Sequence, residues 1–204
     1  QRRILRVKDM CLKNNRKYFV IFLILFLHNS VLADDILKTK AIKYLQELKL
    51  FSASFIQDDG SSLSEGKIYI GLKRIRIEYE KPSKILIILD ENKAMYYNYD
   101  LEEDEFFDPQ STSAWFFFDI FKKPEFFYDS VLDTKDNYLV LKKSGEDTIG
   151  KFKINIFFEN NPLVIRKIDL SLENNSLIVS ILNHNYNESF DENFFKLINP
   201  SFFN

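Results

Sequence analysis

The 204-residue chain carries 28 basic and 30 acidic side chains, so its formal net charge at pH 7 is −2. The charges are unevenly placed, because residues 1–33 hold seven Lys or Arg and one acidic residue, which leaves residues 34–204 with a net charge of −8. An acidic body repels nucleic-acid phosphates, and no basic stripe with interleaved aromatic residues is present, so the composition excludes nucleic-acid binding. The length fits one domain with a substantial core.

Residues 1–33 have the pattern of a cleaved signal peptide. From Met10, taken as the true start, three basic residues precede an apolar run of nine, and small residues stand before Asp34, the new N-terminus. Nine apolar residues are too few for a membrane-spanning helix, which needs about 20; an uncleaved anchor is the alternative. We therefore predict export, with residues 34–204 as the mature domain. The one cysteine, Cys11, leaves with the signal, so the mature chain has no thiol for a disulfide or lipid anchor.

The mature chain begins with one amphipathic helix and continues as strands. Asp34 and Asp35 are candidate N-caps for a helix whose apolar residues recur at helical spacing. Those residues are Leu37, Ala41, Tyr44, Leu45 and Leu48. From Phe51 onward apolar and polar residues alternate, most cleanly in residues 74–81, RIRIEYEK. The connections are short, which allows hairpins but not parallel crossovers, so the pattern predicts one large antiparallel sheet.

One face of the predicted sheet is rich in Ile, Phe and Tyr and must be covered. Two sheets could pack as a sandwich, or one sheet could curl beneath the helical segments. We favour the second, a mainly β fold with flanking α structure: a single curled antiparallel sheet covered by the N-terminal helix and a short aromatic helix. Two helices cannot fill the concave side of eight to eleven strands densely, so an apolar space should remain. In residues 84–91, KILIILDE, both phases are apolar and the inward face stays undecided.

The most aromatic segment is residues 112–129, TSAWFFFDIFKKPEFFYD. Residues 114–123 can form a helix in which Asp119, Lys122 and Lys123 share one stripe and the remaining surface is apolar. A proline follows and ends the helix. On the residues alone we favour ordinary core as the interpretation of this helix, and a lid over the mouth of the curled sheet is the alternative.

Two groups of residues suggest catalysis, and neither is favoured. His184 is the one histidine of residues 34–204, and a lone His is neither a metal site nor a complete nucleophile–base pair. Residues 100–108, DLEEDEFFD, are rich in carboxylates, but neighbours on one loop are not held at the separation that a glycosidase or cation site requires. We interpret this run as a solvated hairpin turn. The sequence therefore predicts no enzyme activity, no catalytic residue, no metal and no cofactor, and a lipid hydrolase is the least favoured alternative.

An ordered set of segments resembles the outer-membrane lipoprotein carrier family, LolA. The set comprises a helix leading into residues 48–57 (LKLFSASFIQ), then 64–70 (SEGKIYI), 74–82 (RIRIEYEKP), 88–107 (ILDENKAMYYNYDLEEDEFF), 111–121 (STSAWFFFDIF) and 185–200 (NYNESFDENFFKLINP). The fifth segment stands where the family carries its lid helix, and the last is similar to the family's ending. The match covers essentially the whole mature chain.

The resemblance implies an unclosed β-barrel with a helical lid that binds the acyl chains of lipoproteins. It implies a monomer in the periplasm that takes acylated lipoproteins from an inner-membrane lipoprotein-releasing complex and passes them to an outer-membrane lipoprotein acceptor. That acceptor has a similar fold but is itself a lipoprotein, so the absence of an anchoring cysteine favours the soluble carrier. The alternative is a periplasmic protein-binding or sensor domain of similar fold.

The sequence departs from the family at two positions that concern closure of the lid. Members of the family often have an Arg-Pro pair, whose Arg helps to hold the lid closed, where this chain has Gly71 and Leu72. Lys73 or Arg74 could substitute for that Arg. The family's Thr-Pro before the lid is represented by Thr112 without the proline.

The predicted lipid-binding residues combine the inward phase of the strands with the apolar part of the lid. They are Ile68, Ile70, Ile75, Ile77, Tyr79, Phe152, Ile154 and Ile156 on the sheet, with Trp115, Phe117, Phe118 and Phe121 on the lid. An error of one residue in phase would exchange the two faces of a strand.

Overall fold

The computed structural model describes residues 34–135, 137–147, 149–173 and 175–203, and the predicted signal peptide lies outside them. By its internal contacts the chain divides into residues 1–39 and 40–204. The described part of the first unit is helical, and the Thr39 hydroxyl donates to the carbonyl of Asp35 at 2.8 Å. None of the helices within the described ranges has the length and hydropathy needed to cross a bilayer.

Eleven antiparallel strands form one sheet, as the alternation predicts. Helix α1, residues 34–47, precedes the first strand. The strands are β1 (Phe51–Asp58), β2 (Leu63–Ile70), β3 (Ile75–Lys81), β4 (Ile85–Leu89), β5 (Ala94–Asn98), β6 (Glu103–Phe107), β7 (Val131–Lys135), β8 (Tyr138–Asp147), β9 (Gly150–Asn160), β10 (Leu163–Leu172) and β11 (Asn175–Asn185). Their order across the sheet is β6-β5-β4-β3-β2-β1-β11-β10-β9-β8-β7. Two meanders therefore join where β1 pairs with β11, and the sheet is unclosed between its edge strands β6 and β7.

Helix α2, Ala114–Lys122, lies in the connection between the two edge strands. Short 3-10 turns precede and follow it, at Pro109–Ser111 and Pro124–Phe127, and another, Pro200–Phe203, ends the described chain. The helix predicted from the aromatic segment is thus present, ending one residue earlier than expected, before the proline. Six of its nine residues are buried, so it packs as a nearly all-round buried helix rather than as an amphipathic surface helix.

The inner face of the sheet carries the apolar phase that the alternation predicts. Ile68 lies opposite Ile77, and Ile70 opposite Ile75, and all four side chains are buried. On the other half of the sheet, alternate apolar residues of β9 are also buried, namely Phe152, Ile154, Ile156 and Phe158. Cross-strand pairs of this kind are the contacts that stabilise a sheet.

Helix α1 packs at one end of this inner face. Ala41, Leu45 and Leu48 are almost fully buried. The Tyr44 ring meets Phe158 edge-on at 5.9 Å, and its hydroxyl accepts the amide N–H of Ile165 at 3.3 Å. These contacts lie where β9 ends and β10 begins.

The outer face is covered in part by the C-terminal segment, residues 186–203. Its Phe194 ring meets Tyr69 at 4.9 Å, and its carbonyl accepts a hydrogen bond from the Arg76 guanidinium at 2.7 Å. Leu197 packs on an outward cluster formed by Leu86, Ile88, Met95 and Tyr97. This cover explains why both phases of residues 84–91 are apolar: one set faces inward and the other is buried beneath the C-terminal segment.

Candidate functional site

A cavity of about 480 Å³ lies between the inner face of the sheet and α2. Strands from both halves of the sheet build its wall, which shows that the sheet curls around it. The apolar lining consists of Phe55, Ile68, Ile77, Ile87, Ala114, Phe117, Ile168, Leu170, Leu172, Leu177, Val179 and Ile181. A space of this size and character is typical of a site for an apolar ligand.

The polar lining residues gather at one end of the cavity. Asp59 and Ser61 come from the β1–β2 turn, Asn175 and Ser176 begin β11, and Ser113 precedes α2. Hydrogen bonds from Ser61 and Ser62 hold the pKa of Asp59 well below its usual range, so this carboxylate stays ionised. The cavity therefore has an apolar body and a polar mouth at the end away from α1.

One polar pair lies within the wall. The Tyr79 hydroxyl donates to Gln57 Oε1 at 2.9 Å, and burial raises the pKa of Tyr79 to about 12. The phenol is therefore neutral at physiological pH and satisfies the buried amide oxygen. Both residues line the cavity, and the amide N–H₂ of Gln57 is a donor at its surface.

Helix α2 lies along the cavity with its two ends attached differently. Its N-terminal residues Ser113 and Ala114 are at the mouth, and Ser113 makes no side-chain capping bond. At its C-terminal end the Lys122 ammonium donates to the carbonyl of Gly71, in the turn between β2 and β3. In its first turn, Phe116 packs on Phe152 of β9, with ring centroids 4.8 Å apart.

Gly71, whose carbonyl accepts the bond from Lys122, stands where members of the family often have the Arg that helps to hold the lid closed. Arg74, one of the two predicted substitutes, is directed elsewhere, because its guanidinium bonds Asp90 and the carbonyl of Phe195. The cation that ties α2 to this turn thus belongs to the helix, and a backbone carbonyl accepts the bond. The residues of the turn alone could not predict this contact, because the donor lies on α2 and the acceptor is a backbone carbonyl.

The polar stripe of α2, formed by Asp119, Lys122 and Lys123, is buried in part. Asp119 is only 6% exposed, its Oδ1 has no hydrogen-bond partner among the described residues, and Lys123 Nζ lies 3.5 Å away. Burial raises the pKa of Asp119 to about 6, against the opposing charge of Lys123. The Lys123 ammonium also sits 3.8 Å from the ring centroid of Trp115, a cation–π distance. The helix therefore carries an ionisable group that opposes its own burial.

Four of the twelve predicted lipid-binding residues line this cavity: Ile68, Ile77, Tyr79 and Phe117. The other inward residues of the sheet share its face without reaching it. Ile154 and Ile156 pair directly with Leu170 and Ile168, which do line the cavity, and Phe152 pairs with Leu172. Ile70 and Ile75 pair with each other next to the Ile68–Ile77 pair. On α2, Phe118 stacks on Trp115 at 5.5 Å, and Phe121 faces a second cavity.

The prediction omitted the lining residues of β10 and β11. Ile168, Leu170 and Leu172 alternate with polar residues, and Leu177, Val179 and Ile181 recur at every second position, although Ile178 between the first two is also apolar. The period-two signal was therefore present in both strands. Alternation shows which residues share a face but not which part of that face lies beneath α2.

The two groups considered for catalysis have ordinary structural surroundings. His184 Nε2 donates to the carbonyl of Ile165 at 2.7 Å, and burial lowers the pKa of the imidazole. The acidic run forms the β5–β6 turn and the exposed edge strand β6, where the Asn98 side chain accepts the amide of Asp100. Within the described ranges no cluster of three His, Cys, Asp or Glu residues is placed to hold a metal.

Solved structures with a similar fold are distant in sequence. An uncharacterized conserved protein from Thermus thermophilus matches at 8% identity and a TM-score of 0.51, over 78% of this chain and 91% of that one. The Pseudomonas aeruginosa MucA/MucB complex matches at 12% identity and a TM-score of 0.46, over 78% of this chain and 60% of that one. LprF from Mycobacterium bovis matches at 10% identity and a TM-score of 0.36, over 76% and 97%.

No curated protein sequence matches this chain. The family model described as outer membrane lipoprotein carrier protein LolA matches residues 46–197, which include every strand and α2. This match extends over most of the chain, and the residues that it covers build the cavity and the helix above it. The chain therefore belongs to the LolA family of lipoprotein carriers.

Proposed function

We propose that this protein is a periplasmic carrier that binds the acyl chains of lipoproteins in the cavity beneath α2. It takes acylated lipoproteins from an inner-membrane releasing complex and transfers them to an outer-membrane acceptor, acting as a soluble monomer after removal of residues 1–33. The observation that supports this most directly is the apolar cavity under a short aromatic helix in a chain of the LolA family.

The energetics require a binding site of this kind. Exposing an acyl chain to water costs about 0.8 kcal/mol per CH₂, so three chains of roughly 15 CH₂ groups would cost on the order of 35 kcal/mol in transit. A concave apolar wall offsets much of this cost through contacts that are not directional. Such contacts allow many poses of the cargo, which suits a carrier that must also release it.

We infer from the volume of the cavity that α2 moves during loading. A group the size of a water molecule or methylene occupies about 30 Å³, so a cavity of about 480 Å³ has room for about 16 such groups. That is one acyl chain. A multiply acylated cargo therefore needs a larger space, which displacement of α2 would create. The inward residues next to the cavity, Ile70, Ile75, Phe152, Ile154 and Ile156, would then extend its wall, and Trp115, Phe118 and Phe121 would cover the chains from the helix.

The attachments of α2 suggest how it opens. Its C-terminal end is tied to the β2–β3 turn by Lys122, whereas its N-terminal end lies at the polar mouth. Buried Asp119 is unfavourable when ionised, which reduces the stability of the closed position. We infer that the mouth end lifts first, with the turn around Pro124 as the pivot. The carrier uses no cofactor, metal or catalytic group of its own. The energy for loading therefore comes from the releasing complex.

The test is a titration with a triacylated lipopeptide, followed by the fluorescence of Trp115, the one tryptophan of the chain. Phe117→Ala removes a ring from the cavity wall, and Phe116→Ala removes a ring from the same helix that is also buried but does not line the cavity. Each deletion should cost about 3–5 kcal/mol of folding stability. Phe117→Ala should weaken lipopeptide binding about tenfold more than Phe116→Ala does. Equal losses would mean that the aromatic helix is ordinary core, and the proposal would fail.

The cargo can be identified by mass spectrometry of lipids and lipopeptides extracted from the protein purified from a periplasmic fraction. Stoichiometric acylated peptide would support the carrier. A folded protein that copurifies with a polypeptide and carries no lipid, even when offered a solubilised lipoprotein, would favour the protein-binding alternative.

A further inference from the structure

A second cavity, of about 430 Å³, lies at the opposite end of α2 from the mouth. It is bounded by the C-terminal part of α1, the C-terminal part of α2 and the β2–β3 turn. Its floor is apolar, with Leu45 from α1 and Phe121 from α2 among its residues, and exposed Leu72 from the turn lies at its rim. It shares no lining residue with the cavity beneath α2, so the two are separate sites.

The polar groups of this second cavity are cationic or neutral. Lys49, Lys122 and Gln46 line it, and no carboxylate is among its lining residues. Neither lysine forms an ion pair with any residue in the described part of the chain, although that part is acidic overall. Lys49 is exposed and its ammonium reaches solvent, whereas the Lys122 ammonium is partly buried without a counter-charge, so an anion bound in this cavity would be favourable.

Lys122 has hydrogen-bonding capacity to spare. Its ammonium carries three N–H donors, and the one bond found for it goes to the carbonyl of Gly71. Burial and the neighbouring charge of Lys49 lower the pKa of Lys122 to about 8. A bound anion would offset the effects of burial and of the Lys49 charge, because it would accept a hydrogen bond from the Lys122 ammonium and balance the charge of the two lysines.

We propose that the second cavity binds a single-chain fatty carboxylate, with its head group between Lys49 and Lys122 and its alkyl chain on the apolar floor. At about 30 Å³ per group, a cavity of about 430 Å³ has room for about 14 groups, which corresponds to a chain of about 10 to 12 carbons with its carboxylate. This site goes beyond the carrier function and does not depend on it.

The test is calorimetric titration of the purified protein with decanoate below its micellar concentration and with decan-1-ol, which has the same chain and no charge. Lys49 is exposed, so Lys49→Met should fold normally. We expect this variant to weaken decanoate binding about tenfold and to leave decanol binding unchanged. Leu72 is 69% exposed, which allows a matched pair at the rim: Leu72→Asp places a competing carboxylate beside the lysines, and Leu72→Asn has the same shape without the charge.

Leu72→Asp should weaken decanoate binding at least tenfold relative to Leu72→Asn. The proposal is overturned if decanoate does not bind, if it binds no better than decanol, or if the two Leu72 variants bind it equally, since the ligand would then sit elsewhere. Lipopeptide binding by Lys49→Met, measured through Trp115, should match that of the parent protein. Because the two ligands are measured separately, failure of the decanoate site and failure of the carrier proposal are distinguishable.

Discussion

Replacing Asp119 by Asn should stabilise the protein at pH 7.5 and leave its stability nearly unchanged at pH 4. The Asp119 side chain is almost fully buried in α2, its Oδ1 accepts no hydrogen bond from a described residue, and Lys123 is too distant, at 3.5 Å, for a strong one. Burial raises the pKa of this carboxyl to about 6, and the nearby charges of Glu125 and Asp147 act in the same direction. The ionised form is therefore unfavourable in the folded protein.

The magnitude follows from proton linkage. The folded-state pKa lies above the unfolded value of 3.8, so the folded state holds the proton more tightly. The stability that this provides is present below about pH 3.8 and is lost as the pH rises through about 6, and the full loss is about 3 kcal/mol. Asn carries no charge at either pH and avoids the loss, but Lys123 then loses a partner. We expect a net gain of about 1–3 kcal/mol at pH 7.5.

Urea unfolding at pH 4 and pH 7.5, followed by far-ultraviolet circular dichroism, measures both values. Glu91→Gln is the matched control, because the Glu91 carboxylate lies 3.6 Å from the same Lys123 ammonium but its side chain is 57% exposed. That control should change stability by less than about 0.5 kcal/mol. If Asp119→Asn is less stable than the parent at pH 7.5, or differs from it equally at both pH values, Asp119 is a stabilising ion-pair partner and the reasoning is wrong.

Three further predictions concern the contacts around α2 and the C-terminal segment. Gly71→Ala should lose about 1–3 kcal/mol in urea unfolding, because a Cβ there would lie 2.7 Å from the packed ring of Phe195; unchanged stability would mean that the ring moves aside freely. Lys122→Met should release the C-terminal end of α2, so acrylamide should quench Trp115 more strongly than in the parent protein; equal quenching would show that aromatic packing alone holds the helix. Leu197→Ala should lose about 1–2 kcal/mol, and no loss would show that the C-terminal segment does not stabilise the outer face.

The fold was largely predictable because its signals are local. In strands such as β3, alternation places successive side chains on opposite faces, and burial of Ile75 and Ile77 follows from the pattern alone. Short connections required antiparallel pairing, and the aromatic run before Pro124 required a helix that is buried nearly all round. The ordered resemblance then indicated the family that the comparison confirms.

The sequence predicted that an apolar cavity exists but not which inward residues line it. Period-two patterning assigns Ile154 and Leu170 to the same face, yet only Leu170 lines the cavity, because the position of α2 over the sheet decides which inward residues it covers. The ambiguity of β4 had the same origin, since the C-terminal segment that buries its outward residues is distant in sequence.

The sequence by itself determined the class of fold, the inward phase of the strands and the presence of an aromatic helix between β6 and β7, because each depends on the spacing of neighbouring residues. Only the tertiary structure decided that Asp119 is buried with an incomplete set of partners, that Lys122 ties α2 to the carbonyl of Gly71, and that Lys49 joins it beside a second cavity. Charged side chains on a short helix are equally compatible with solvent and with burial. Their surroundings are set by segments far away in the sequence, and those surroundings determine their pKa values, their bonds and their part in function.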